Sequence, residues 1–301
     1  MGDKKERKKS SIGGKKNKAL GKIKCDKEII RLTGVSKIYH MGDTTVRAVD
    51  GIDVCISEGD FVAIMGPSGS GKSTSMNLVG SLDMPSMGKI LLDGEDISTL
   101  TESDLAQIRG KKIGFIFQNF NLIPNLTVKE NVMLPMMFQG TDIYERAVTA
   151  EDLLRKVDLG DRMDHYPNQI SGGQMQRVAI ARALANDPEV ILADEPTGNL
   201  DTKTGEKVME FLQQLNKEGK TIIMVTHEPE LAEAYAEKVY WLRDGKVEKT
   251  THKKNGFKVE AEERALHRKH GWNGKKGNRK SRKGLDKKKL VKGKQAKKGG
   301  K

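Results

Sequence analysis

Gly66 to Ser73 reads GPSGSGKS, a match to G-x-x-x-x-G-K-[ST] lying directly behind the apolar run Phe61 to Met65 and ahead of a plausible helix. Glycines at this spacing let consecutive backbone N–H groups curl around phosphate oxygens, and the helix that follows adds its positive end. Lys72 would reach the β- and γ-phosphates, and Ser73 would ligate Mg²⁺. The plainer alternative is a glycine-rich turn with a solvated lysine. Val190 to Pro196 (VILADEP) supplies a second element, four apolar residues ending in adjacent carboxylates. Behind a phosphate-binding loop, Asp194 is placed to hold Mg²⁺. Glu195 is placed to orient and deprotonate an attacking water. Without the loop, the same pair would read as a solvated strand end.

The elements that must position these groups alternate. Phe61–Met65, Ile113–Phe117, Val190–Ala193 and Thr221–Thr226 read as buried strands. Between them lie helical patterns such as Thr202–Glu218, with Val208, Phe211, Leu212 and Leu215 on one face. Strands alternating with helices predict an α/β fold with a parallel sheet. Lys238–Val247 alternates around Asp244-Gly245, a hairpin signal that closes the domain. Residues 119–167 hold no clear strand and two helical stretches, Val128–Phe138 and Tyr144–Leu159, predicting an inserted helical subdomain.

Charge divides the 301 residues into three parts. The first 27 carry a net +8 and residues 249–301 a net +17, whereas Glu28 to Glu248 holds 22 basic and 34 acidic residues, a net of −12. Both tails are too poor in bulky apolar groups to offset the entropy of ordering, so they are expected to be disordered, with a short helix conceivable at Val259–His270. The acidic middle has the wrong sign for a nucleic-acid binder. Only the tails could attract a polyanion, either anionic lipid headgroups or RNA. Two cysteines, Cys25 and Cys55, make no disulfide framework, and a bond between them is not expected in a reducing compartment. Neither a secretory signal nor an apolar run of roughly 20 residues is apparent.

Ser171 to Gln174 (SGGQ), lying ahead of the carboxylate strand, completes a series. With Tyr39, the phosphate loop, Gln118, the two carboxylates, the Asn199-Leu200-Asp201 turn and His227 in this order, residues 29–248 resemble the ATP-binding subunit of ABC transporters. The resemblance implies a P-loop ATPase core with an antiparallel β subdomain and an inserted helical subdomain. It implies that Tyr39 stacks on the adenine, and that Gly66, Pro67, Ser68, Gly69, Ser70, Gly71, Lys72, Ser73 and Thr74 wrap the phosphates. Gln118 would contact Mg²⁺ and the attacking water, and His227 would hold the γ-phosphate and Glu195 in line. Ser171, Gly172, Gly173 and Gln174 would bind the nucleotide of a second copy packed head to tail, with Asp201 near the shared interface. Ile170 stands where leucine is commonest, and Ser75 where an apolar residue usually follows the loop.

LADEPTGNLD (Leu192–Asp201), with the stretches around Gln118 and behind the loop, is similar to the lipoprotein-releasing, macrolide-export and cell-division group. Members work with a separate integral-membrane permease. The implied protein is therefore a cytoplasmic ATPase, peripheral on the inner face of the membrane, hydrolysing ATP with Mg²⁺ as a homodimer. A ribosome-associated or RNA-associated ATPase of the same superfamily is the alternative. Such chains usually carry two cassettes, whereas this sequence has one phosphate loop and no internal repeat. A chromosome-structure ATPase would need roughly hundreds of coiled-coil residues between loop and signature. A binding module with decayed activity is contradicted by intact Lys72, Asp194, Glu195 and His227.

Overall fold

A computed structural model describes residues 27–42, 44–253 and 258–260. The described residues belong to one compact unit.

Two long strands, β1 (Glu28–Met41) and β2 (Thr44–Ser57), open the chain as an antiparallel pair. With β4 (Met87–Leu92) and β5 (Glu95–Asp96) they form an antiparallel sheet in the order β2-β1-β4-β5. A second sheet holds β3 (Phe61–Met65), β6 (Ile113–Ile116), β7 (Val190–Asp194), β8 (Thr221–Thr226), β9 (Lys238–Arg243), β10 (Lys246–His252) and β11 (Lys258–Glu260). Its order is β11-β10-β9-β3-β8-β7-β6, parallel from β9 to β6 and antiparallel at the β9-β10-β11 edge. The predicted buried strands are buried at every residue in β3 and β8, as a sheet covered on both faces requires.

The helices are α1 (Lys72–Val79), α2 (Glu102–Lys112), α3 (Val128–Phe138), α4 (Ile143–Lys156), α5 (Gly172–Ala183), α6 (Thr202–Lys217) and α7 (Pro229–Tyr235). On one face of the parallel sheet, Val62, Ile64, Leu192, Ile223 and Val225 share a core with α1 and the antiparallel sheet. On the other face, Ala63, Ile191, Ile222 and Met224 pack with α5, α6 and α7. The predicted helical insertion has its own core from α3 and α4. Helix α5 serves both bodies: Ile180 and Ala183 enter the sheet core, while Val178 and Ala181 enter the helical one.

Three differences from the sequence reading stand out. β10 continues to His252, past Glu248, because Thr250, Thr251 and His252 pair with Tyr240, Val239 and Lys238, a ladder whose polar composition hides it. Val259 and Glu260, assigned above to a conceivable helix, lie in β11, and the rest of that stretch falls outside the described residues. Cys55 is disulfide-bonded, contrary to expectation, and its partner lies outside the described residues. The compartment argument concerns redox poise and says nothing about which chain segments meet.

Candidate functional site

The residue pattern G-x-x-x-x-G-K-[ST] becomes a cradle because the backbone turns left-handed at Gly69 (φ 77°) and Gly71 (φ 96°). A Cβ on Gly71 would strike the Ala48 carbonyl of β2, so only glycine fits. Gly71 is the N-cap of α1, and no side chain caps that helix. Its leading N–H groups are therefore left to a ligand, at the positive end of the helix. The hairpin tip braces the loop from behind: Gly245 N–H donates to the Ser70 carbonyl at 3.1 Å, and Asp50 N–H to the Gly245 carbonyl at 2.8 Å. Lys72 Nζ reaches back across the loop to the Gly66 and Pro67 carbonyls at 2.8 and 2.9 Å.

A cleft of about 850 Å³ opens above this cradle. It is lined by Pro67 to Gly69, Gly71 to Thr74, Asp194, Glu195 and His227, with Ala48 and Gly245 on its rim. Parallel pairing accounts for the meeting of segments so far apart in sequence. β3 and β7 flank β8, so the loop after Met65, the carboxylates after Ala193 and the histidine after Thr226 emerge at the same end of the sheet. This is the carboxyl edge, where open α/β sheets bind ligands.

Glu195 is the most constrained side chain there. Its backbone is left-handed (φ 43°) although it is not glycine, an arrangement that persists only where the surroundings over-determine it. Its N–H donates to the Val225 carbonyl at 2.9 Å. One carboxylate oxygen accepts from Gln118 Nε2 at 2.9 Å and the other meets His227 Nδ1 at 2.8 Å. A carboxylate only accepts, so Nδ1 carries the proton in this pairing. Asp194 differs from its neighbour. Burial, reinforced by the Glu195 charge and opposed by Lys72, lifts its carboxyl above the ordinary range.

The donor set suits a hard cation. Asp194 and the exposed Ser73 hydroxyl share the cleft, and Gln118, whose amide nitrogen is engaged by Glu195, keeps its carbonyl oxygen. Mg²⁺ is typically held by one or two carboxylates together with phosphate oxygens. These residues fit that pattern.

Tyr39 stands beside the cleft rather than in its lining. It pairs in register with Val46, which does line it, so the two side chains share one sheet face. Its hydroxyl donates to Asp83 at 2.8 Å, and the Lys37 ammonium, bridged to Asp83, lies 5.1 Å from the ring centroid. Asp83 and Lys37 carry no motif signature, and only the fold reveals that they hold Tyr39.

Ser171 to Gln174 are not brought to this cleft. Ser171 and Gln174 form a reciprocal capping box at the start of α5, with Ser171 N–H to Gln174 Oε1 at 2.8 Å. They line a second cleft of about 370 Å³ together with Gly173, Lys156, Arg177 and Lys207. The first-turn N–H groups of Gly172 and Gly173 have no intrahelical partner, which makes this helix start suited to an anion. Asp201 caps α6 by accepting from Thr204 N–H at 3.0 Å. Thr204 in turn abuts Gly173, where a Cβ would meet its methyl at 2.6 Å.

Residues 49–198 match the family model described as ABC transporter. The chain is 52% identical over 222 residues to an uncharacterized ABC transporter ATP-binding protein of Thermotoga maritima, covering 74% of this chain and 94% of that protein. It is 50% identical over 233 residues to the macrolide export ATP-binding/permease protein MacB of Brucella melitensis, covering 77% of this chain but only 36% of the relative. Among solved structures it is similar to the dimeric ATP-binding cassette MJ0796 of Methanocaldococcus jannaschii, in a post-hydrolysis state bound to ADP and Pi. The TM-score is 0.69 at 47% identity, covering 74% of this chain and 98% of that one.

Proposed function

Because the chain belongs to the ATP-binding proteins of ABC transporters, we propose that it is the ATP-hydrolysing motor of a two-copy assembly that drives a separate membrane permease. The observation that carries this reading is the separation of two clefts on one chain. One holds the phosphate loop, Asp194, Glu195 and His227, and the other holds the anion-binding helix start at Ser171. Neither is a complete site. Two copies packed head to tail would place the Ser171 cleft of each over the nucleotide held by its partner, giving a symmetric dimer with two shared sites. The relatives support this arrangement, since the cassette MJ0796 is dimeric and MacB joins an ATP-binding part to a permease in one protein.

In this reading the loop N–H groups and Lys72 bind the β- and γ-phosphates, Lys72 exchanging its carbonyl partners for phosphate oxygens. Tyr39 supports the adenine. Glu195, its carboxylate held at both oxygens, takes a proton from the water that attacks the γ-phosphorus. Gln118 and His227 keep that carboxylate aimed and lie where they can contact the water and the γ-phosphate. Mg²⁺ on Ser73, Asp194 and Gln118 would supply charge neutralisation for the leaving phosphates.

No helix among the described residues is long and apolar enough to cross a membrane. In this reading the permease is a separate polypeptide, and the motor sits at the cytoplasmic face of the membrane beside it. The +17 charge of residues 249–301 would add attraction to anionic lipid headgroups there.

Mixing variants tests the shared site. Ser171→Arg and Glu195→Gln chains are each expected to be inactive. Their heterodimer gathers both defects in one site and leaves the other intact, so mixing restores part of the ATPase rate. Activity that is neither restored nor dependent on protein concentration rules out the shared site.

A further inference from the structure

The turn that follows Gln118 closes on itself through the Phe120 N–H bond to the Phe117 carbonyl at 3.2 Å and the Asn121 N–H bond to the Asn119 carbonyl at 2.5 Å, and it is gripped from outside as well. Phe120 (φ 58°) and Asn121 (φ 50°) are consecutive left-handed residues without glycine, an arrangement that persists only under external restraint. Two side chains from different elements supply it. Arg182, on α5, donates from Nη2 to the Phe120 carbonyl at 2.7 Å and from Nη1 to the Asn121 carbonyl at 2.5 Å. Asn199, just ahead of the Asp201 cap, donates from Nδ2 to the Gln118 carbonyl at 2.7 Å and to Asn119 Oδ1 at 3.2 Å.

The restraint is unusual for an arginine. Burial alone shifts the Arg182 pKa, downward, with no carboxylate opposing it, so this guanidinium is spent on main-chain carbonyls. A planar fork of N–H donors fits two successive carbonyls, which a lysine ammonium would not reproduce. The same α5 begins at the Ser171 cap, and the same approach turn carries Asp201. Whatever meets those two positions therefore acts on elements that grip the turn carrying Gln118.

We infer that Arg182 and Asn199 are positioning residues, which hold the 118–121 turn so that the Gln118 amide stays on the Glu195 carboxylate. They link the Ser171 helix and the Asp201 turn to the reacting carboxylate within one chain. The inference rests on the reading of Glu195 as the base and Gln118 as its partner.

The test compares the full chain with Asn199→Ala, Arg182→Lys, Gln118→Ala and the Asn199→Ala/Gln118→Ala double variant, by steady-state hydrolysis of Mg-ATP. Hydrogen–deuterium exchange of peptides spanning 118–123 is measured alongside. Asn199→Ala is expected to speed exchange there and to lower kcat about tenfold, with KM for ATP moving less than about twofold. On the Gln118→Ala background the same substitution should lower kcat by less than about twofold, because the amide it positions is gone. Unchanged exchange in Asn199→Ala overturns the inference, as do kcat losses that simply multiply. Should Arg182→Lys fail to fold, Asn199→Ala, on an exposed side chain, still decides. If Gln118→Ala hydrolyses ATP as fast as the unaltered chain, the assigned role of Gln118 in catalysis is wrong, and the exchange measurement still decides whether the turn is held.

Discussion

Gln118 and Glu195 stand 77 positions apart and meet at 2.9 Å, the amide nitrogen donating to one carboxylate oxygen. His227 occupies the other oxygen, so the group expected to take a proton from water is fixed at both ends.

Glu195→Gln keeps the shape and removes the base. Hydrolysis is expected to fall about 100-fold or more, while ATP binding persists. The variant should then accumulate as an ATP-dependent dimer, which sedimentation velocity with and without Mg-ATP will reveal. Turnover at the unaltered rate removes Glu195 from the mechanism.

Gly71→Ala tests the cradle itself. The substitution forces a side chain into a left-handed backbone and against the Ala48 carbonyl, which cannot move without displacing β2. A loss of about 2 kcal/mol is expected in urea unfolding. Binding of a fluorescent ATP analogue should be lost with it, and a variant of unchanged stability and affinity contradicts the geometry.

Asp194 makes stability and function oppose one another. Its folded carboxyl titrates above the ordinary value, so between the two pKa values the folded chain binds more protons than the unfolded one. Stability is therefore lost as pH rises through that window, and the penalty is complete above it. Asp194→Asn removes the penalty, and its thermal midpoint at neutral pH should exceed that of the unaltered chain by about 2 °C. The advantage should shrink as pH falls through that window, where the carboxyl of the unaltered chain becomes neutral like the amide. The same variant should lose Mg²⁺-dependent hydrolysis, and a lower midpoint at neutral pH contradicts the assignment.

Two truncations separate the β9-β10 ladder from the basic tail, both of them removing the edge strand β11. A chain ending at Glu248 loses the Thr250 and Thr251 rungs of the β9-β10 ladder, the Trp241 Nε1–H bond to Thr251 at 3.3 Å and the Lys253 N–H bond to the Glu237 carbonyl at 2.8 Å. It is expected to melt below a chain ending at Lys253. The Lys253 chain should keep the ATPase rate of the full chain yet lose salt-sensitive sedimentation with anionic liposomes. Equal liposome binding by both removes lipid attraction, and salt-sensitive binding to structured RNA alone would favour the competing polyanion.

The sequence by itself placed the buried strands β3, β6, β7 and β8, the phosphate loop and the adjacent carboxylates Asp194 and Glu195 at a strand end. Each is written in local pattern: apolar runs for buried strands, glycine spacing for a left-handed loop, carboxylates at a strand end. Tertiary structure alone decided which of them meet. Gln118 reaches Glu195 because β6 and β7 run parallel and adjacent, a pairing that no local period encodes. Asp83 and Lys37 behind Tyr39, and Arg182 and Asn199 around the Gln118 turn, are ordinary polar residues in sequence, and their roles come from hydrogen bonds spanning between 44 and 81 positions. The end of the domain was hidden for a related reason. Thr250, Thr251 and His252 carry no apolar alternation, and they form a strand because β9 already offers its free edge.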